Sequence, residues 1–393
     1  MNNKYNVAII GGGAAGMLAA ITIKRDCPEF SVAIFEKNKR LGKKLAITGN
    51  GRCNITNSNI DLSHYYGDQN IISNVLNRFS YKNTVEFFNS IGVLIKENED
   101  GRCYPYSLQA SSVVDALRFE CENLDVDIFT ETEVKSIKYN GDYSVCSTSG
   151  TFSANVVIAA FGGIAGDKSL NTNKASYEML KNFHSVTKLA PVIVQIKTAN
   201  SITRSLKGIK INAKVTVGNK SEYGEVLFCD YGLSGPPILQ LSRFCEIGKN
   251  ITLDLMPEYN EKSLIKLIDS RFLLNRNKEE FFTGMLNKRV GQVIYKSCNN
   301  KTAETLAKAI KNFSFKVTGN TGFTNAQATS GGLNTDEFNL NLSSKKSNGL
   351  FACGEALDVD GDCGGYNLQW AFSSGFVAAK SAEEFLKEKI CTL

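Results

Sequence analysis

The chain has 393 residues, 42% hydrophobic and 21% charged, with a formal net charge of +6. That balance belongs to a globular chain of two or three domains, and six prolines without any low-complexity tract leave little room for disorder. Eleven cysteines, none in a Cys-x-x-Cys pair, indicate free thiols in a reducing cytoplasm, and His64 and His184 lie too far from paired cysteines to form a zinc site.

Charge is unevenly spread. Residues 189–324 hold 20 Lys+Arg against 11 Asp+Glu, so this segment carries the whole positive excess.

Val7 to Ile10 is a short apolar run of the kind that makes a buried parallel strand. Gly11-Gly12-Gly13-Ala14-Ala15-Gly16 follows at once and matches the G-x-G-x-x-G dinucleotide fingerprint. Met17 to Lys24 continues as a helix, and Ser31 to Phe35 is a second strand ending at Glu36. Gly11 permits the tight turn, Gly13 leaves room for a pyrophosphate, and Gly16 lets helix and strand approach. The helix N-terminus offers free N–H groups to the anion, while Glu36 stands where a carboxylate accepts a ribose diol. The uncharged stretch Asn6 to Ile23, preceded by Lys4, also allows a signal peptide or membrane span. Three consecutive glycines oppose that alternative.

Leu41 to Asn57 is a basic, glycine-rich loop. Gly49 and Gly51 allow close backbone approach to a flat ligand, and Lys43, Lys44 and Arg52 supply charge for a phosphate or a reduced flavin. A solvated surface loop fits the same residues. Phe79 to Leu94 has helical spacing with a stop at Gly92, Gly101 to Pro105 reads as a turn, and Ala110 to Asn123 as an amphipathic helix. Asp127 to Thr130 and Glu133 to Tyr139 are strands, the latter leading into a hairpin at Asn140-Gly141. Val156 to Ala160 is another parallel-type strand, ending in Phe161-Gly162-Gly163.

From Leu189 the pattern changes to period-two alternation. Val192 to Lys197, Lys210 to Gly218, Glu225 to Asp230 and Asn250 to Met256 suggest a small antiparallel barrel. Glu261 to Phe272, Lys278 to Asn287 and Thr302 to Phe313 then show helical periodicity. Leu350 to Cys353 is a short strand followed by Gly354-Glu355, and a glycine-rich turn opens a long helix from about Gly365. This second constellation suits ribityl hydroxyls and a carbonyl that becomes anionic on reduction, though a glycine-capped terminal helix would look alike.

GGGAAG, GNGRCN, GRCYP, GLSGPPILQLS, ATSGGL and GEALDVDGDCGGYNLQWA together resemble a bacterial FAD flavoprotein family that contains aminoacetone oxidase and the 3-dehydro-bile-acid reductase. The likeness runs essentially end to end. It implies an α/β fold: a glutathione-reductase-type FAD Rossmann domain (1–188 and 323–393) interrupted by an insert. The insert would be a β-barrel (189–257) followed by a helical part (258–322). It also implies FAD at Gly11, Gly13, Ala14, Ala15 and Gly16 (pyrophosphate), with Glu36, Lys37 and Val134 towards the adenosine. Lys44, Gly51, Arg52 and Cys53 would run along the pyrophosphate and flavin side and Glu355 would meet the ribityl chain, with Ala160, Gly162, Gly354 and Asp362 as further cofactor-binding residues. Gly365, Tyr366, Asn367 and Leu368 would meet the pyrimidine edge, with Arg102 and Tyr104 as catalytic candidates on the substrate side. Two departures stand out: Phe161 replaces the usual threonine, and Cys353 an alanine.

The resulting expectation is an FAD-dependent oxidoreductase moving a hydride between the flavin and a small-molecule substrate. NADH or NADPH would be a transient co-substrate, since no second dinucleotide fingerprint is present. An amine oxidase using O2 is the alternative. A tRNA-modifying flavoprotein using the basic insert and a non-enzymatic flavin-bound regulator are further options. Neither a stable nucleic-acid complex nor membrane insertion is expected, and a homo-oligomer is compatible with the sequence.

Overall fold

A computed structural model describes residues 3–391 except 171, 173, 200, 275 and 278. The chain divides into two compact units, 1–190 with 328–393 and 191–327.

The first unit is built on a seven-stranded sheet. Its parallel part runs in the order Asp127–Phe129, Val32–Phe35, Lys4–Ile10, Gly150–Ala159, Leu350–Ala352. Val7 pairs with both Val32 and Val156, and these residues are fully or almost fully buried, as a strand covered on both faces requires. Gly150–Ala159 is longer than its apolar half implies. Residues Gly150 to Ala154 pair antiparallel with Asp142–Ser147, which pairs in turn with Val134–Asn140 around Gly141.

The fingerprint splits the uncharged stretch 6–23 between strand Lys4–Ile10 and helix Ala14–Asp26. Among the described residues no helix is long and apolar enough to cross a membrane. The C-terminal helix Tyr366–Cys391 lies on Ala14–Asp26. At their contact a side chain on Gly375 would place its Cβ 2.5 Å from the Ala15 carbonyl oxygen, so only glycine admits this approach. Buried Trp370 donates to the Gly354 carbonyl (3.0 Å), and Ser374 Oγ accepts from Gly354 N–H (2.8 Å), tying the helix to the loop after the last parallel strand.

In the first unit one local expectation changes and one helix is new. Gly101 to Pro105 is not a turn throughout. Only Gly101 (φ +77°) turns the chain, and Arg102–Pro105 is the middle strand of a small sheet between Thr56–Asn57 and Ile95–Glu97, with Cys103 and Tyr104 buried. Helix Gln69–Arg78 was not anticipated; Asp68 caps it by accepting from Asn70 and Ile71 N–H, and Ile71, Ile72, Val75 and Leu76 are buried.

In the second unit six antiparallel strands close a barrel in the order Ile196–Thr198, Gly232–Ser234, Lys220–Phe228, Lys210–Val217, Asn250–Asp254, Phe313–Asn320. Helices Glu261–Phe272, Lys288–Ser297 and Ala303–Lys311 complete the core. The helix expected over Lys278 to Asn287 does not form across its described residues, and Lys278 itself lies outside them. Residues 279–286 are turns that bury Phe281 and Phe282, and Asn287 caps the next helix by accepting from Arg289 N–H (3.1 Å). Phe313 was expected to end a helix. It begins a strand instead, in which Phe313, Phe315 and Val317 point into the barrel.

Candidate functional site

Four parallel strands end side by side, and their C-terminal ends carry most of the candidate residues. Gly11 N–H donates to Phe35 O (2.9 Å), Ala160 N–H to Ile10 O (2.9 Å) and Cys353 N–H to Ala159 O (3.0 Å). The turns at Gly11, Glu36, Ala160 to Gly162 and Gly354-Glu355 are thereby brought together, where open α/β sheets bind their ligands.

At the first turn Gly11 has φ +110°, and a Cβ there would stand 2.5 Å from the Ala160 carbonyl oxygen. At Gly16 a Cβ would sit 2.0 Å from Gly11 O, so strand and helix touch backbone to backbone. Gly13 faces open space and is the N-cap of helix Ala14–Asp26, with no side-chain cap and no acid in the first turn. The helix end, with the Ala14 and Ala15 amides in its first turn, is shaped for an anion. Glu36 is buried; one oxygen accepts from Gly12 N–H (3.0 Å), the other from Asn38 N–H and Asn38 Nδ2 (both 2.8 Å). A carboxylate has about four lone-pair positions, so it can hold the turn and still accept from a diol. Lys37 is half-buried beside Glu36, its ammonium shifted down by burial. Val134 is buried at the start of its strand.

The basic loop doubles back through left-handed residues: Gly49 (φ +58°), Asn50 (φ +56°), Gly51 (φ +79°) and Cys53 (φ +58°). Gly51 is exposed, and the Arg52 guanidinium lies 5.4 Å from the centre of the buried Tyr104 ring. Strand alternation puts Tyr104 and Arg102 on one face of Arg102–Pro105, where Arg102 Nε stands 3.4 Å from Asp100 Oδ2. Cys53 is fully buried, and burial pushes its thiol up to about 12. That disfavours thiolate chemistry there.

Glu355 joins four segments. One oxygen accepts from Lys44 Nζ (2.6 Å) and Gly163 N–H (3.3 Å), the other from Thr329 N–H (2.7 Å), while the Tyr177 hydroxyl donates to its carbonyl (3.2 Å). Thr329 Oγ1 accepts from Ile164 and Ala165 N–H (3.0 and 2.9 Å). Gly162 keeps the open side, with space where a Cβ would be.

At the far end, Gly365 (φ +100°) leads into helix Tyr366–Cys391, and a Cβ on it would stand 2.5 Å from Thr56 O and 3.1 Å from Asn54 Oδ1. Asn54 Oδ1 is buried without a hydrogen-bond partner, beside the start of a helix with no acid in its first turn. An orphaned acceptor at such a place suits a polar ligand edge. Asn367 braces the turn by accepting from Gly361 N–H (2.9 Å) and donating to Gly361 O and Asp362 O (2.8 and 3.2 Å). Leu368 is half-buried.

Asp362 lies in a cluster that sequence reasoning missed. His64 Nδ1 is 2.9 Å from Asp362 Oδ2, the Tyr66 hydroxyl donates to Oδ1 (3.1 Å), and the His64 ring stacks on Tyr366 at 4.3 Å. Burial pushes the Tyr366 phenol up to about 12. Sequence spacing gave no signal for this cluster, because His64 and Asp362 are 298 positions apart.

The open Gly13 cradle, the uncapped helix and the orphaned Asn54 oxygen together fit a dinucleotide with an anionic centre and a polar far end. The chain matches the family described as "HI0933-like protein Rossmann domain" over residues 5–381. It is 34% identical to the 3-dehydro-bile acid delta(4,6)-reductase of Clostridium scindens, covering 96% of this chain and 99% of that protein. It is 26% identical to the ribosomal RNA dihydrouridine synthase of Haemophilus influenzae, covering 95% and 97%. Among solved structures it is similar to the 3-ketosteroid delta1-dehydrogenase of Sterolibacterium denitrificans, with a TM-score of 0.54 and 12% identity over 98% of this chain and 100% of that one, a likeness of fold alone.

Proposed function

The chain belongs to the HI0933-like FAD-binding Rossmann family and is an FAD-dependent oxidoreductase, and on that premise we propose that it saturates a carbon–carbon double bond conjugated to a carbonyl. NAD(P)H would be the reductant. The observation that carries this assignment is the 34% identity, across nearly the whole of both chains, to a protein named as a delta(4,6)-reductase. When bound, FAD supplies two-electron hydride chemistry.

The chain's own residues hold and shield that chemistry. Gly13, Ala14, Ala15 and Gly16 offer amides to the pyrophosphate, and Glu36 holds the adenosine ribose, with Lys37 and Val134 at its side. Lys44, Gly51, Arg52, Cys53, Ala160, Gly162, Gly354 and Glu355 line the middle of the cofactor. Gly365, Tyr366, Asn367 and Leu368 present the helix start to its polar edge, near Asp362. Arg102 and Tyr104 would face the substrate. The FAD domain would comprise 1–188 and 323–393 in a glutathione-reductase-type arrangement, and 189–322 would be an insert of barrel and helical parts.

A second assignment rests on one specific observation, the net charge of +9 over residues 189–324, together with the dihydrouridine synthase relative. The substrate would then be a uracil ring in RNA, whose C5–C6 double bond is also conjugated to a carbonyl. Positive charge favours an RNA partner through its phosphates.

The test is anaerobic. FAD-loaded protein is mixed with NADH, NADPH or aminoacetone, and the reduced enzyme is then offered a 3-oxo-4,6-diene bile acid or a ribosomal RNA transcript. Bleaching by NAD(P)H and reoxidation by the dienone support the first assignment, and reoxidation by RNA alone supports the second. Reduction by aminoacetone alone, with peroxide formed on admitting air, would overturn both in favour of an amine oxidase.

A further inference from the structure

We propose that His64 is the proton donor for that reduction, with Asp362 as the residue that positions it. The proposal rests on the reductase assignment above.

The geometry comes from a short ladder. Strand Tyr65–Tyr66 pairs antiparallel with Asp360–Gly361, Tyr66 opposite Asp360 and Tyr65 opposite Gly361. Continuing that register by one residue sets His64 opposite Asp362, and Asp362 N–H donates to His64 O (2.9 Å). The side chains then meet through Nδ1 and Oδ2 at 2.9 Å. Asp362 is itself fixed by the Tyr66 hydroxyl (3.1 Å), and the imidazole lies flat on Tyr366 (4.3 Å, 21° between ring planes). The ring therefore has little freedom, and a carboxylate on Nδ1 selects the tautomer with its proton there. Among the described residues Nε2 has no hydrogen-bond partner, and the His64 side chain is 34% exposed, so the ring is partly open to solvent.

The place suits the role. Tyr366 and Asp362 flank Gly364-Gly365, the turn that opens the C-terminal helix at the orphaned Asn54 acceptor. The charges around the dyad come from Asp61, whose carboxylate caps the turn carrying His64, and from Arg102 and Asp100, which act on Tyr366. Tyr66, whose hydroxyl donates to Asp362, and Tyr65 and Cys363, both of which feel the Asp362 charge, are further titratable neighbours.

In the step proposed, the imidazolium loses its Nε2 proton to the α-carbon of the conjugated system. The β-carbon receives the hydride of the cofactor chemistry described above, and the C=C π bond becomes two C–H bonds. Asp362 keeps its charge, Nδ1 keeps its proton, and Nε2 is reprotonated from solvent. General acid catalysis of this kind contributes about 100-fold or more.

Two measurements test this. In the FAD-free protein, long-range 1H–15N NMR reads each imidazole, and the chain has only two. Neutral His64 is expected with its proton on Nδ1, and Asp362→Asn should lose that preference. In the loaded enzyme, His64→Gln should slow reoxidation by the dienone about 100-fold and remove one limb of its pH profile, while reduction by NAD(P)H stays within about twofold. Asp362→Asn should shift that limb without erasing it. A His64→Gln enzyme that keeps both limbs, or a neutral His64 with its proton on Nε2, overturns the proposal. A wild-type enzyme that never reoxidises with dienone or RNA overturns the reductase assignment instead, leaving the NMR result to judge the dyad.

Discussion

The contact at Gly375 sets two effects of opposite sign against each other. In the interior of an exposed helix, Gly→Ala gains about 1 kcal/mol of helix propensity. Here the new Cβ would stand 2.5 Å from Ala15 O, a backbone atom that no rotamer change can move. An ordinary carbon–oxygen contact is about 3.3 Å, so the helices must separate by roughly 0.8 Å. Overpacking of that kind costs about 1–3 kcal/mol. Gly375→Ala should therefore be destabilising by about 1 kcal/mol net, a fall of about 2–4 °C in a domain of this size. Gly375→Val, with two more methyl groups, should fall further. Because Ala15 lies in the first turn of the helix proposed to hold the FAD pyrophosphate, FAD affinity should drop too, by up to about tenfold if the distortion reaches 1.4 kcal/mol at the cradle. Differential scanning fluorimetry of the FAD-free protein and titration with FAD read the two quantities. A raised melting temperature for Gly375→Ala would show that propensity wins and that the contact is looser than described.

Other perturbations follow from groups already placed. Glu36→Gln turns one acceptor into a donor facing Gly12 N–H or the Asn38 amides, so FAD affinity should fall at least about tenfold, measured by calorimetry, while the flavin still bleaches with NAD(P)H at saturating FAD. Burial raises the Glu383 carboxyl to about 7, with Lys380 opposing and one oxygen unpartnered. The folded protein then binds a proton that the unfolded chain releases near 4.5, so stability falls as pH rises from about 4.5 to about 7 and stays low above it. Glu383→Gln should accordingly stabilise the chain by up to about 2 kcal/mol at pH 8 and little at pH 4.5; equal melting shifts at both pH values would contradict this. Iodoacetamide at pH 8 should label exposed Cys391 well before Cys53 or Cys353, whose thiols burial pushes up to about 12, as peptide mass spectrometry would show.

The fold was legible wherever a local pattern and its burial coincide. Val7 to Ile10 within strand Lys4–Ile10, and Val32–Phe35, are apolar runs because both faces are covered, and helix Ala110–Asn123 buries Ala110, Val113, Leu117 and Cys121 along one stripe. Period-two alternation revealed most of the barrel. It failed at Phe313–Asn320, since Phe313 also continues the apolar stripe of the preceding helix, and one aromatic residue cannot say which period it ends. Lys278 to Asn287 misled for a related reason. Phe281 and Phe282 are core residues held in turns, and Asn287, a good cap, marks the start of a helix and not the end of one.

At the site, glycines were the most readable residues, because each reports a local constraint: a positive φ at Gly11, a backbone contact at Gly16, an uncovered cap at Gly13. Side chains that act on one another across the fold left no such trace. Glu355 is visible as an acid after a strand, but its partners Lys44, Gly163 and Thr329 come from three other segments. His64 was set aside as a histidine with no cysteine pair nearby. Its role becomes readable only once the two-residue ladder at Tyr65–Tyr66 fixes the register that brings Asp362 to it. A strand of two residues has too few positions to show a period, so no hydropathy pattern could have announced it. The proposed pyrophosphate cradle is thus written in backbone conformations, which a sequence records as glycine. The proposed proton-transfer dyad is written in pairings between distant segments, which only the folded chain displays.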